Sequence, residues 1–154
     1  PLSEYDRSPP PADLEIGIRI GIVARASEDD AWQAAHHRFP VDRKGQVAHQ
    51  MAMKVSDSVW HQQLSQLGKS QSGSNSPYWM QPFENHQTFC PYLVGTYERV
   101  AREVAAYARV GYRTVILDIP RTREELEHIR KVFSLADAHA GREDAIAGTE
   151  TPAP

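Results

Sequence analysis

Isoleucines at positions 16, 18, 20 and 22 alternate with Gly17, Arg19, Gly21 and Val23, a period of two that predicts a strand ending near Ala24 or Arg25. One face of that strand carries four branched apolar side chains suited to packing under helices. The other is nearly bare apart from Arg19 between two glycines. Ser27 followed three residues later by Asp30 resembles a capping box, so the pattern predicts a helix from Glu28 to about His37, with Ala31, Trp32, Ala34 and Ala35 inward and Pro40 as its stop. A second helical pattern runs from about Lys44 to Leu67, with Val47, Met51, Val55 and Val59 at spacings of four and Leu64 and Leu67 extending the stripe.

Residues 69–77, KSQSGSNSP, are too polar and too rich in serine and glycine to pack, and read as a surface loop. From Tyr78 to Pro91 the chain is dense in aromatics, broken by prolines and without either period, the character of a loop that covers a ligand on an α/β scaffold. Tyr92 to Val94 is then a short apolar strand. Thr96 offers a hydroxyl cap, and Val100, Ala101, Val104, Ala105 and Ala108 form the buried stripe of a helix that ends at Gly111. Thr114 to Leu117 is continuously apolar, as in a strand buried on both faces. A last helix starts at Thr122, whose capping box is completed by Glu125, and buries Leu126, Ile129, Phe133 and Ala136.

The stretch from Tyr92 to Pro120 is thus one strand, helix, strand unit, and parallel strands need a helical crossover of this length. All three strands are expected to lie parallel in one sheet, the strand from Thr114 beside that from Tyr92. Three parallel strands would leave two unpaired edges. The chain is therefore expected to dock on another copy, to belong to a larger α/β barrel, or to form a small self-sufficient α/β domain.

Composition narrows the chemistry. A formal charge of -3 with no basic block argues against nucleic acid and against an anionic membrane surface, and no apolar run reaches the length of a bilayer span. One cysteine, Cys90, makes an internal disulfide impossible, and with no signal-peptide pattern the reading is a cytoplasmic protein. The seven histidines include no pair at i, i+4, so no metal site is expected. GIVARAS lacks the second and third glycines of a dinucleotide fingerprint, and no serine stands in a nucleophile elbow. Residues 1–15 read as a proline-rich lead, 16–136 as the folded domain, and 137–154, small, charged or proline, as a disordered tail.

IGIRIGIVARASEDDAW, KVSDSVWHQQL and YLVGTYERVAREVAAYARVGYRTVILDIPRTREELEHI together resemble the C-terminal part of the bacterial luciferase-like flavin-dependent monooxygenases, nearest the branch containing alkanesulfonate monooxygenase. The resemblance implies an α/β chain that forms about three parallel βα units, the sixth to eighth, of a (β/α)8 TIM barrel. It implies reduced FMN supplied by a separate flavin reductase, molecular oxygen, and a small or carrier-bound organic substrate. The N-terminal barrel half, which in the family holds most flavin-phosphate contacts, would be a partner, in a homo-oligomer or heterodimer. The fragment alone is expected to be inactive and to associate through its open edges. The rival reading is a non-catalytic remnant or subunit that acts as an interaction module.

Within that frame Arg19 is the sharpest candidate. Strand alternation puts it opposite the isoleucines, where it either faces a pocket and needs an anionic partner or is an exposed arginine on an amphipathic edge. The resemblance implies a substrate-binding role, because the matching arginine of the alkanesulfonate enzymes serves the substrate's anionic group. Gly21 stands where the relative has histidine, which puts sulfonate specificity in doubt. His86, in the aromatic loop, is a candidate for proton handling or a solvent-facing side chain. Trp79, Phe83 and Phe89 either stack on flavin or substrate or plug one end of the fold. Asp118 ends its strand on the face where barrels place catalytic groups, or caps the turn before Pro120.

Overall fold

A computed structural model describes residues 16–55 and 76–147. The elements are β1 (Ile16–Arg25), α1 (Glu28–Arg38), α2 (Arg43–Val55), β2 (Tyr78–Trp79), the single turn α3 (Gln81–Glu84), β3 (Tyr92–Thr96), α4 (Tyr97–Arg109), β4 (Tyr112–Leu117) and α5 (Arg123–Ala147). The lead at 1–15, the later part of the expected second helix, most of the 69–77 loop and the last seven residues lie outside the described residues.

The local signals act where their chemistry places them. Ser27 Oγ accepts from the Asp30 amide at 3.1 Å, Thr96 Oγ1 from the Arg99 amide at 3.2 Å and Thr122 Oγ1 from the Glu125 amide at 3.1 Å, so a hydroxyl satisfies a free amide at the start of α1, α4 and α5. Glu28 adds a tertiary tie. Its carboxylate accepts from the Thr96 amide at 2.9 Å and pairs with Arg99, so the first turn of α1 is pinned to the first turn of α4.

β1, β3 and β4 are parallel, and β2 adds an antiparallel edge, in the order β2-β3-β1-β4. The expected adjacency of β3 and β4 is corrected: β1 lies between them. The reason lies in strand length. β3 pairs with Gly21 to Arg25, the C-terminal half of the ten-residue β1, and the amides and carbonyls of Ile16 to Ile20 take their ladder from β4 instead. Consecutive strands of a (β/α)8 barrel pair in chain order, so this order is that of a mostly parallel, open sheet.

Both faces of the sheet are covered over β3 and the C-terminal half of β1, whereas Thr114 and Ile116 of β4 are exposed, Ile116 to 53%, so β4 is not the strand buried on both faces that its apolar run predicts: among the described residues no helix lies over that face of it. Ile20, Ile22, Ala24 and Leu93 meet Val100, Ala101, Val104 and Ala105 of α4 and Ile129, Val132 and Ala136 of α5. On the other face Val23, Tyr92 and Val94 meet Ala31 and Ala35 of α1, with Phe39 and Trp79 closing the cluster. Fully burying a large apolar side chain contributes about 1.5–3 kcal/mol, so the isoleucine layer is the main store of stability.

Two helices depart from the expectations. Val47, Met51 and Val55, the expected inward stripe of α2, are 51%, 64% and 83% exposed, whereas His49 is buried. α2 docks by another side, where a β-carbon on Gly45 would lie 2.1 Å from the Asn85 carbonyl oxygen, Gln46 Nε2 donates to Asn85 Oδ1 at 3.1 Å and His49 meets Phe83 edge-on. Close approach of backbones outweighs the apolar stripe there. α5 continues to Ala147, so residues 137–147 are helical rather than part of a disordered tail. Apart from Gly141 that segment is rich in alanine, arginine and acidic helix formers, and His139 Nε2 lies 3.2 Å from Glu98 Oε2 on α4.

Candidate functional site

Alternation along β1 sends Arg19 to the face away from the isoleucine layer, and β4 delivers Asp118 beside it. Arg19 Nη2 donates to Asp118 Oδ1 at 3.2 Å, and the Tyr92 hydroxyl donates to Asp118 Oδ2 at 2.9 Å. One carboxylate therefore joins the guanidinium of β1 to the phenol of β3 from the far side of β1. The Tyr92 ring reaches it by crossing directly over Gly21: a β-carbon there would lie 2.3 Å from Tyr92 Cζ. No residue other than glycine leaves that space.

A second shell of groups completes the cluster. The Arg38 guanidinium stands 5.5 Å from the Tyr92 ring and 5.0 Å from the Phe39 ring, and Arg19 stands 5.6 Å from that of Phe89. Arg38 is held by Glu125 Oε2 at 3.1 Å and by the Ile119 carbonyl at 3.3 Å. Burial raises the Tyr92 phenol above its ordinary range; Arg38 opposes that rise and Asp118 adds to it, so Tyr92 is a neutral hydrogen-bond donor. Burial likewise pushes the Cys90 thiol up to about 11, with Asp118 adding to the rise and Arg19 opposing it. Neither group is a base or a nucleophile at neutral pH. What the arrangement can do is present a half-exposed guanidinium to an anionic or carbonyl oxygen while the carboxylate holds it in place.

The structure brings three of the expected site residues together, Arg19, Asp118 and Phe89, and separates the other three. His86 is exposed, in a left-handed conformation (φ 57°), and its ring lies 6.0 Å from that of His49; it shares no hydrogen bond or ion pair with Arg19 or Asp118. Trp79 packs edge-on against Trp32, His36 and Phe39 in the core beneath α1. Phe83 is buried with Met80. Sequence patterns alone do not single out Tyr92, Arg38 or Cys90 as site residues. The only signal for Tyr92 was a bare glycine on a strand that needed something to cover it.

Among the described residues no group of three His, Cys, Asp or Glu side chains is placed to hold a metal, and no helix is long and apolar enough to cross a membrane. Phe39 meets both Trp79 and Tyr92 edge to face, with ring centroids 6.1 Å and 4.8 Å away, which leaves no slot for a tricyclic ring between Phe39 and either of them.

No family model matches the chain. Over 120 residues, 77% of its own length, the chain is 34% identical to the 4-(gamma-L-glutamylamino)butanoyl-[BtrI acyl-carrier protein] monooxygenase BtrO of Niallia circulans, and it covers 35% of that protein, about a third of the relative's length. Over most of its own length, then, the chain is similar to a monooxygenase whose substrate is an acyl group held on a carrier protein.

Proposed function

We propose that this chain is part of a luciferase-like monooxygenase that uses reduced FMN, delivered by a separate reductase, and O2 to oxidise an acyl group held on a carrier protein. The observation that carries the reading is the 34% identity over 120 residues to a carrier-protein monooxygenase. In this reading the chain contributes the substrate side of the site. Arg19, oriented by Asp118 and Tyr92, binds an oxygen of the acyl chain or its amide, and the remainder of the protein holds the flavin. The complete enzyme is a (β/α)8 barrel in this reading, and closing it requires β4 to leave β1 for the other edge of β3, where the two-residue β2 now sits.

The test is an oxygen-transfer assay. Acyl-carrier protein loaded with short amino-acyl thioesters is incubated with reduced FMN and O2, and intact-protein mass spectrometry reads the addition of one oxygen atom. The expected result is no transfer by this chain alone and transfer when the N-terminal barrel portion is supplied, lowered at least tenfold by Arg19→Ala, because a charge-assisted hydrogen bond is lost. Arg19→Lys restores part, lacking the planar fork. Absence of transfer with both portions and a range of loaded carriers overturns the proposal.

A second reading draws on the covered sheet. A barrel segment turns one sheet face to the barrel interior, whereas here α1 covers that face over β3 and the C-terminal half of β1, and α4 and α5 cover the other. A chain that completes its own core in this way suits a non-catalytic interaction module, and binding of the carrier protein without oxygen transfer would favour it.

A further inference from the structure

The sheet has a second place where chemistry converges, beyond the carboxyl end of β1. From β1 the chain passes through α1 to β3 on one side, and from β3 through α4, over the opposite face, to β4 on the other side. The crevice beyond the carboxyl end of β1 is therefore a topological switch point, the position at which open α/β sheets bind ligands. β4 pairs only as far as Ile20, and the edge of β1 from Ile22 to Arg25 opens into a gap between α1 and α5. A cleft of about 580 Å³ sits there, within the range of small-molecule sites.

Its polar lining is mostly cationic or hydrogen-bond donating. Arg25 comes from the end of β1, Gln33 and His37 from α1, Tyr97 from the first turn of α4 and His128 from α5. The Arg25 guanidinium has one hydrogen bond, to the Ala24 carbonyl at 2.8 Å, and no carboxylate partner among the described residues. His128 Nδ1 is fixed by the Tyr97 hydroxyl at 2.8 Å, and its Nε2 is buried without a hydrogen bond, the Glu124 carboxylate standing 3.7 Å away. The one acid in the lining, Asp30, already accepts from the Ser27 hydroxyl at 2.7 Å. A buried ring nitrogen with no hydrogen bond, beside a guanidinium with no carboxylate partner among the described residues, is a costly arrangement unless something accepts from both.

We propose that this cleft binds a phosphate ester, whose oxygens accept from Arg25 and from His128 Nε2 while the esterified arm lies in the open part of the cleft. A bare anion would leave most of the volume unfilled, whereas the phosphate of a carrier protein's pantetheine arm fills it with the arm attached. The lining of the cleft shares no residue with the Arg19 cluster, and its binding does not depend on the oxidation proposed for that cluster. The environment sets a pH signature. Burial and Arg25 hold the His128 imidazole below its ordinary range, against the opposing pull of Glu124 and Glu125, so the free protein carries it neutral at pH 7. An anion on Nε2 favours the imidazolium. Binding therefore takes up a proton and tightens as pH falls.

The experiment is equilibrium dialysis of the 154-residue chain against inorganic phosphate, FMN and 4′-phosphopantetheine in turn, with dephosphorylated riboflavin and pantetheine as controls, alongside proton NMR of the His128 ring. The expected result is saturable binding of at least one phosphate ester, at least tenfold tighter than its dephosphorylated counterpart, with a downfield shift of the His128 ring protons. Arg25→Met weakens it about tenfold. Gln33→Glu, an exposed helical position where the fold is not at risk, abolishes it by placing a carboxylate in the cleft. Preference for FMN identifies a nucleotide phosphate and preference for phosphopantetheine a carrier arm. Equal retention of phosphorylated and dephosphorylated compounds, or binding unchanged in both variants, overturns the proposal whether or not the oxygen-transfer assay succeeds.

Discussion

The Tyr92 ring occupies the space that the β-carbon of any other residue at position 21 would fill, with Cζ 2.3 Å from the ideal β-carbon site. A strand glycine normally weakens a sheet; here it lets a phenol cross β1 and reach Asp118 on the next strand. Gly21→Ala is expected to push the ring aside and to cost about 1–3 kcal/mol, the range for overpacking a filled core. Urea denaturation measures this, and an unchanged midpoint would show that the ring moves freely.

Asp118 joins Arg19 to Tyr92, but Arg19 is 47% exposed, so solvent screens the ion pair. A double-mutant cycle of Arg19→Ala and Asp118→Asn is expected to give a coupling to stability of no more than about 1 kcal/mol, as for other exposed pairs. Its effect on substrate affinity should be larger, because Asp118 sets the direction of the guanidinium. Coupling to stability well above that value would make the pair a structural bridge rather than an orienting one.

Cys90 is 1% exposed, and burial holds its thiol at about 11. Because the thiolate is the reactive form, Cys90 is expected to resist iodoacetamide at pH 7.5 in the folded chain and to react readily in denaturant. The sign for stability follows from the raised value. Its contribution is fully present below the ordinary thiol range near pH 9 and is lost as pH rises towards 11. Alkylation of the native chain at the rate of the unfolded one would contradict this burial.

Trp79 packs among Trp32, His36 and Phe39 beneath α1. Trp79→Ala is expected to destabilise the fold by about 3–5 kcal/mol, the cost of emptying a large aromatic site. Should the variant keep its denaturation midpoint and lose only substrate affinity, Trp79 would be a stacking platform and not a core residue.

By itself the sequence determined the three parallel strands and the four longer helices, with most of their starts to within a few residues, but not β2 or the turn α3. The reason is that these signals are local: Ser27, Thr96 and Thr122 each bond the amide three positions on, and the isoleucine period in β1 needs no partner to be seen. It also placed Arg19 opposite the isoleucines, since alternation is a property of one strand. Strand order, the meeting of Arg19 with Asp118 across 99 positions, and the crossing of Tyr92 over Gly21 were decided by tertiary structure. Each depends on which backbone edge was still unpaired when β4 docked, a question of mutual fit that no window of neighbouring residues contains. The same holds for α2, where an apolar stripe legible in the sequence lost to the close approach of Gly45 and Asn85, and for the cleft at Arg25, which exists only because β4 stops pairing at Ile20.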